Sequence, residues 1–141
     1  NLIREDIGGI TSISKIYETK SWGFESENFL NLCIAINSKL SPDKLLFSIN
    51  SIEKKIGRKR DSQKMKAREI DIDIIFYSNR IVNQKELIIP HPSLELRNFV
   101  LVPLNDIASD FIHPILSKSV KELLESSKDE DIPIESSRAI S

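Results

Sequence analysis

Asp71 and Asp73 carry the clearest chemical promise in this chain. They lie in the run Arg68-Glu69-Ile70-Asp71-Ile72-Asp73-Ile74-Ile75. On a strand, the period of two sends both carboxylates to one face, about 6.5–7 Å apart along the chain. Ile70, Ile72 and Ile74 then face the other way, into a core. Two carboxylates on a rigid face repel each other unless a cation lies between them, and a hard, oxygen-seeking ion such as Mg²⁺ suits that arrangement. Taken alone, Asp-x-Asp reads equally well as the solvated face of an amphipathic strand. The segment just ahead of it changes the balance. From Gly57 to Arg68 there are six cations (Arg58, Lys59, Arg60, Lys64, Lys66 and Arg68) against one anion, Asp61. That segment carries +5 in a chain of net −1, which leaves −6 for the remainder. A local anion site fits this asymmetry better than a basic face does. Guanidinium groups clamp phosphate oxygens bidentately, so a basic loop running into an acidic strand holds both halves of a phosphoryl-transfer site. Arg58, Arg60 and Arg68 are assigned that role, and Lys59, Lys64 and Lys66 are assigned to ordinary solvated surface. There is no Walker-type glycine loop, so a nucleotide would be held by side chains and metal.

A second group of residues lies around these. His91 sits between two prolines (Pro90-His91-Pro92), a stiff segment that would hold an imidazole in place. Arg97 and Phe99 follow; in isolation the first reads as surface and the second as core. Asn31, on an apolar strand, is an amide in need of partners, which marks either a ligand contact or a satisfied core hydrogen bond. Trp22 falls in a loop, where a ring-stacking role is plausible. His113, before Pro114, reads as a loop residue without a role.

The elements that must position these side chains follow from hydrophobic period and breakers. Ser12–Glu18 reads as a strand near an edge, Thr19–Asn28 as a loop, and Phe29–Asn37 as a central strand buried on both faces. The clearest helix has Ser41 as N-cap, Pro42 in the first position and Asp43 at the positive end of the dipole. Leu45, Leu46, Ile49, Ile52 and Ile56 continue it to Gly57, which is expected to end it. The basic loop comes next, then a strand over Ile70–Tyr77, a turn at Ser78-Asn79 into Ile81-Val82, and a short strand at Leu87–Ile89. Helical segments are predicted at Ser93–Leu104 and Ser119–Glu125. Lys128–Ser141 is polar and acidic and reads as a loosely held tail. Strands and helices mix without regular βαβ alternation, which predicts an α+β fold with helices over the faces of a sheet.

The 141 residues (16.1 kDa) fit one domain, expected to run from residue 1 to about 127. With 40% apolar and 29% charged residues, the chain has material for one core and is not disordered in composition. The balance of 20 Lys and Arg against 21 Asp and Glu argues against a generic polyanion binder. A single cysteine, Cys33, excludes an internal disulfide and suits a reducing compartment. No apolar run approaches the ~20 residues of a membrane span. With no signal peptide recognised at the N-terminus, a cytoplasmic setting is expected.

Read together, four runs carry a resemblance: R-x-I-D-I-D-I-I-F-Y; I-P-H-P-x-L-x-x-R-x-F-V-L-V-P-L; Y-E-T-K-S-W-G with F-L-N; and I-E-K-K-I-G-R-K-R. From Ile10 to about Leu124 the chain resembles the 6-hydroxymethyl-7,8-dihydropterin pyrophosphokinase family. The resemblance implies transfer of pyrophosphate from ATP to the hydroxymethyl group of the pterin, with release of AMP, on a ferredoxin-like, mainly antiparallel sheet in three α-β-α layers. It implies two Mg²⁺ ions on Asp71 and Asp73, with Arg58 and Arg68 as mobile-loop arginines that reach the phosphates. ATP contacts fall on Glu53, Arg60, Arg68, Ile74, His91 and Arg97. The pterin contacts fall on Thr19, Lys20, Trp22, Phe29, Asn31 and Phe99, with Asn31 reading the ring's polar edge and Phe99 stacking on its face. A monomer acting on small molecules, with no nucleic acid or membrane partner, is expected.

Three departures from the family pattern accompany this. The family opens with a central strand and a Gly-Ser-Asn loop, whereas this chain begins Asn1-Leu2-Ile3-Arg4, so N-terminal residues are expected to precede those given. Asn1–Gly9 is also short for the family's first helix, so residues are expected to be missing there. Met65-Lys66-Ala67 stands where many members carry Trp-Gly-Pro, which would give the pterin a less rigid cover. The alternative is a non-catalytic ferredoxin-like module that binds nucleotide or RNA through the basic loop. Carboxylates on the candidate face oppose it, because they would repel a nucleic-acid backbone.

Overall fold

Ser41 begins the longest element of the molecule as its sequence predicts. In the computed structural model, which describes residues 2–19, 29–62 and 71–136, α2 spans Pro42–Ser62. The Ser41 hydroxyl accepts from the Lys44 N–H (3.4 Å) and its carbonyl from the Leu45 N–H (2.8 Å), so one otherwise orphaned donor is satisfied and the first intrahelical bond is made. The predicted stop at Gly57 is not observed. The helix continues through Gly57 to Ser62, because glycine only weakens a helix and the Arg-Lys-Arg that follows favours helix. The first half of the expected basic loop is therefore helical backbone, and residues 63–70 lie outside the described residues.

The remaining elements in chain order are α1 (Leu2–Asp6), β1 (Gly8–Ile13), β2 (Tyr17–Thr19), β3 (Phe29–Asn31), β4 (Ile34–Ser38), then after α2, β5 (Val82–Asn83) and β6 (Ile88–Ile89). A 3₁₀ turn at Leu94–Leu96 precedes α3 (Asn98–Ala108), followed by α4 (Val120–Glu125) and β7 (Ile134–Glu135). This is a mixed α+β fold, with antiparallel pairing of β2 with β3, β2 with β7, and β5 with β6. The chain divides into two compact units, residues 1–10 with 36–91 and residues 11–35 with 92–141, and the division runs through the paired strands β1 and β4.

In the first unit, Leu45, Ile49 and Ile52 of α2 form a core with Ile7. Ile36, Leu40, Ile56, Ile72, Ile74 and Tyr77 pack around them partly buried. Ile52, 1% exposed, is the centre of this cluster. Gly8 is required where β1 meets β4, because a Cβ there would run into the Asn37 carbonyl. Val82, Leu87 and Ile89 form a smaller cluster under the β5–β6 hairpin.

The predicted strand at 70–77 is corrected. Among the described residues, 71–76 form no ladder, and their backbone groups find a side chain and a loop instead: Ile72 N–H donates to Glu53, and Ile75 C=O accepts from His91 N–H. The alternation survives in burial nonetheless, with Asp71 and Asp73 exposed and Ile72 and Ile74 half-buried against the core.

In the second unit, β2 lies in the middle of the order β3-β2-β7 and β3 is an outer strand; β4, which the division crosses, pairs with β1 alone among the described residues. This reverses the expectation of an edge at Ser12–Glu18 and a centre at Phe29–Asn37. Neither run is one strand. Both break where Ser14 N–H donates to Cys33 C=O (2.9 Å) and the Ser14 hydroxyl takes the Cys33 N–H (2.8 Å) while donating to Lys15 C=O (2.7 Å). A side chain that competes for ladder groups ends the ladder. Leu94, Val100, Leu101 and Leu104 are buried, as are Val120 and Leu123 of α4, which packs on α3. α4 starts with a capping box between Ser119 and Glu122, as its predicted start requires. The tail is not loose over 128–136: Asn98 is hydrogen-bonded to Asp129 and Asp131, and β7 pairs with β2.

Candidate active site

Glu53 follows the most buried residue of α2 directly, so its carboxylate is presented from a fixed point of the helix. Its Oε2 accepts the N–H of Ile72 at 2.9 Å, between the two aspartates. This bond, with the one from His91 N–H to Ile75 C=O, anchors the acidic run where a neighbouring strand otherwise would. Asp71 is exposed, and the Asp73 side chain is 57% exposed. His91 arrives from the β5–β6 hairpin through a cis Ile89–Pro90 bond, and its N–H donates to Ile75 C=O at 2.9 Å. The imidazole Nε2 then stands 3.9 Å from Asp73 Oδ2, too far for a direct hydrogen bond. His91 Nδ1 is buried, with no partner among the described residues. The structure thus brings Glu53, Asp71, Asp73 and His91 together within one unit. Ile74, from the same run, packs into both of that unit's apolar clusters. A cavity of about 180 Å³ in this unit, lined by Ile36, Asn37, Ser38, Leu45, Phe76, Tyr77 and Ser78, borders none of the candidate residues among those described.

The donor set suits a hard cation in one respect. Two exposed carboxylates supply oxygen, and among the described residues no third acidic, histidine or cysteine ligand completes a cage. Mg²⁺ is commonly held by one or two carboxylates with the remaining positions left to phosphates and water, so the pair fits it. The backbone of Arg58 and Arg60 belongs to α2, and Arg68 lies outside the described residues, as do Lys64 and Met65-Lys66-Ala67.

The second unit holds a different set. The β2–β3 register pairs Tyr17 with Asn31 and Thr19 with Phe29, which puts these four positions on one face of the pair. Asn31 is half-buried, and its Nδ2 donates to Thr19 Oγ1 at 3.3 Å. Tyr17 is buried; its hydroxyl donates to Asp106 Oδ2 at 2.7 Å, and burial, then that bond, pushes its pKa up to about 12. Arg97 stands at the N-cap position of α3, and its guanidinium carbon is 5.8 Å from the centroid of the Phe99 ring, within cation–π range. Phe99 is 38% exposed and so is not a core residue. Lys20 and Trp22 lie outside the described residues.

Two residues assigned no role prove to be structural. His113 is 4% exposed; its Nδ1 accepts from the N–H groups of Ile115 and Leu116, both at 3.1 Å, and burial lowers its pKa. It organises the turn between α3 and α4, which corrects the expectation that it had no role. Asn98, between Arg97 and Phe99, is buried and bonded to the tail. No signal in the sequence marked this, because the predicted helical segment starts at Ser93 and places Asn98 in its interior, whereas α3 begins at Asn98. Cys33 is half-buried, and burial, then Asp106, pushes its thiol up to about 12, so it is no ready nucleophile.

A family model for 7,8-dihydro-6-hydroxymethylpterin-pyrophosphokinase (HPPK) matches residues 1–109. The 2-amino-4-hydroxy-6-hydroxymethyldihydropteridine pyrophosphokinase of Aquifex aeolicus is 44% identical over 119 residues, which cover 84% of this chain and 74% of that protein. The protein of the same name from Synechocystis sp. is 39% identical over 112 residues, 79% of this chain and 57% of its own length. The folic acid synthesis protein fol1 of Pneumocystis carinii is 40% identical over 124 residues, 87% of this chain and 17% of that protein. The class so defined is that of ATP-dependent diphosphotransferases. Within it, the chain belongs to the 7,8-dihydro-6-hydroxymethylpterin-pyrophosphokinase family of folate biosynthesis. Among the described residues no helix is long and apolar enough to cross a membrane.

Proposed function

We propose that the chain transfers the pyrophosphoryl group of ATP to the hydroxymethyl oxygen of 6-hydroxymethyl-7,8-dihydropterin. The hydroxyl oxygen bonds to the β-phosphorus, the bond from that phosphorus to the α,β-bridging oxygen breaks, AMP leaves, and the hydroxyl proton passes to solvent. Asp71 and Asp73 would hold two Mg²⁺ ions. Bound Mg²⁺ neutralises phosphate charge and makes a coordinated hydroxyl more acidic. Arg58, Arg60, Arg68 and Arg97 would clamp phosphate oxygens, with Glu53, Ile74 and His91 completing the ATP contacts. Thr19, Lys20, Trp22, Phe29, Asn31 and Phe99 would take the pterin, Asn31 on its polar edge and Phe99 on its face. The observation that carries this reading is the exposed Asp71–Asp73 pair braced by Glu53, in a chain of this family.

The same proposal includes a three-layer ferredoxin-like arrangement, one domain over residues 1–127 and a monomer working in the cytoplasm. Incubation with ATP, Mg²⁺ and hydroxymethyldihydropterin should release AMP, and chelation by EDTA should abolish that release. ADP as the product, or AMP release independent of pterin, would overturn the assignment.

A further inference from the structure

The C-terminal segment joins two elements of its unit that carry candidate pterin residues. At one end, Asp129 Oδ2 accepts the N–H of Asn98, the first residue of α3, at 2.8 Å. Asn98 Nδ2 returns two bonds, to the carbonyls of Asp129 (3.0 Å) and Asp131 (2.8 Å). Asp129 is itself fixed, because its Oδ1 accepts the Asp131 N–H (3.0 Å) and its own N–H donates to Ser127 Oγ (3.2 Å). At the other end, β7 pairs with β2, Ser136 N–H donates to Ile16 C=O (2.7 Å), and Ser136 Oγ donates to Glu18 Oε1 (3.0 Å). Asp106 of α3 adds a direct tie, accepting from the Tyr17 hydroxyl and from the Lys15 N–H at 3.2 Å.

The first turn of α3 needs such help. Helix N-termini leave N–H groups unsatisfied, and Arg97, at the N-cap position, makes no side-chain cap bond. A carboxylate from 31 residues further on takes that place and sets its charge at the positive end of the helix dipole. Asn98 is 7% exposed and uses its amide donors on the tail, and the residues on either side of it are Arg97 and Phe99.

We infer that Asp129 and Asn98 are positioning residues: the clasp between them fixes the first turn of α3 and so presents the Phe99 ring to the pterin. This rests on the assignment of Phe99 to the pterin contacts proposed above. The test is a double-mutant cycle in the full chain, with pterin binding followed by calorimetry in the presence of a non-hydrolysable ATP analogue. Asp129→Ala should weaken pterin binding about tenfold, as the loss of a charge-assisted bond implies. Asp129→Asn keeps one carbonyl acceptor and should lose less. In a Phe99→Ala background the same Asp129→Ala change should cost less than about threefold, because the group it positions is gone. Asn98→Ala should show the same dependence on Phe99. Equal fold-changes in both backgrounds would make the clasp merely structural and overturn the inference, as would unchanged pterin affinity in Asp129→Ala. If Phe99→Ala itself leaves pterin affinity unchanged, the site assignment falls, and this inference with it.

Discussion

The acidic run of the first unit and the opening turn of α3 in the second both carry candidate site residues, yet they are held in opposite ways. Asp71 and Asp73 project from a segment without a ladder, secured by the Glu53 carboxylate on Ile72 and by the His91 N–H on Ile75. Phe99 projects from a helix whose first residue is buried and bonded to a segment 31 to 33 residues away. Thin support suits carboxylates that must admit ions and phosphates, since few bonds need break for the run to adjust. Dense support suits a ring whose value lies in its orientation. If this contrast is right, substitutions in the first unit should change chemistry with little loss of fold, and substitutions in the second should register in stability as well.

The sharpest break should come from Asp71→Ala and Asp73→Ala. Each should lower turnover by about 10³-fold or more, roughly 4 kcal/mol of transition-state stabilisation, as loss of an ion-holding carboxylate implies. Both groups are exposed, and removing either relieves like-charge repulsion, so thermal midpoints should not fall. Turnover within a few-fold of the unmodified protein would defeat the carboxylate assignment. A clear drop in melting temperature would instead show that the run is a structural keystone, which would erase the contrast.

Glu53→Ala should have an intermediate effect. It removes the only side-chain brace on the acidic run among the described residues and leaves the half-buried Ile72 N–H without its partner, a cost of about 1–3 kcal/mol. Turnover should fall about tenfold, while Glu53→Gln, which keeps an acceptor, should retain most of it. Measuring kcat and melting temperature for the pair separates bracing from charge: equal losses in both variants would mean that the carboxylate's charge, not its bond, is what matters.

The contrast also explains what could be read from sequence. Asp71-Ile72-Asp73-Ile74 was legible because burial follows a local period, and the alternation held even though the ladder did not form. The Ser41-Pro42 start of α2 and the Ser119 start of α4 were legible because caps are local chemistry. Gly57 misled because a glycine ends a helix only where the backbone turns left-handed. Ser14 misled because its hydroxyl interrupts two strands through a residue 19 positions away. Asn98 and Asp129 stayed hidden for the same reason: they are polar residues of ordinary surface types that meet across 31 positions, so no window along the chain contains both. His113 differs, because its partners Ile115 and Leu116 are close in sequence and only its burial is a product of tertiary packing.

Acid should expose the smallest difference. Ser14, Asn98 and His113 are the buried polar residues among those described; all lie in the second unit, and of the three only His113 is ionisable. Burial holds its folded-state pKa below the ordinary 6.5, with Glu95 partly opposing. The unfolded chain therefore binds a proton more readily, and the stability that neutral His113 contributes is complete above about pH 6.5 and is lost as the pH falls below it. Protonation would also place a hydrogen on the Nδ1 that accepts from Ile115 and Leu116. One such group can lower stability by at most about 1.4 kcal/mol per pH unit, so the loss should be gradual. His113→Asn sets an uncharged oxygen near the place of Nδ1, and it should flatten the dependence of the urea midpoint on pH between about 5 and 7. Hydrogen exchange over the same range should show the turn at 113–118 loosening in the unmodified protein before the α2 core does. A His113→Asn variant with an undiminished slope would assign the acid sensitivity to carboxylates instead, and the two units would then respond to pH alike.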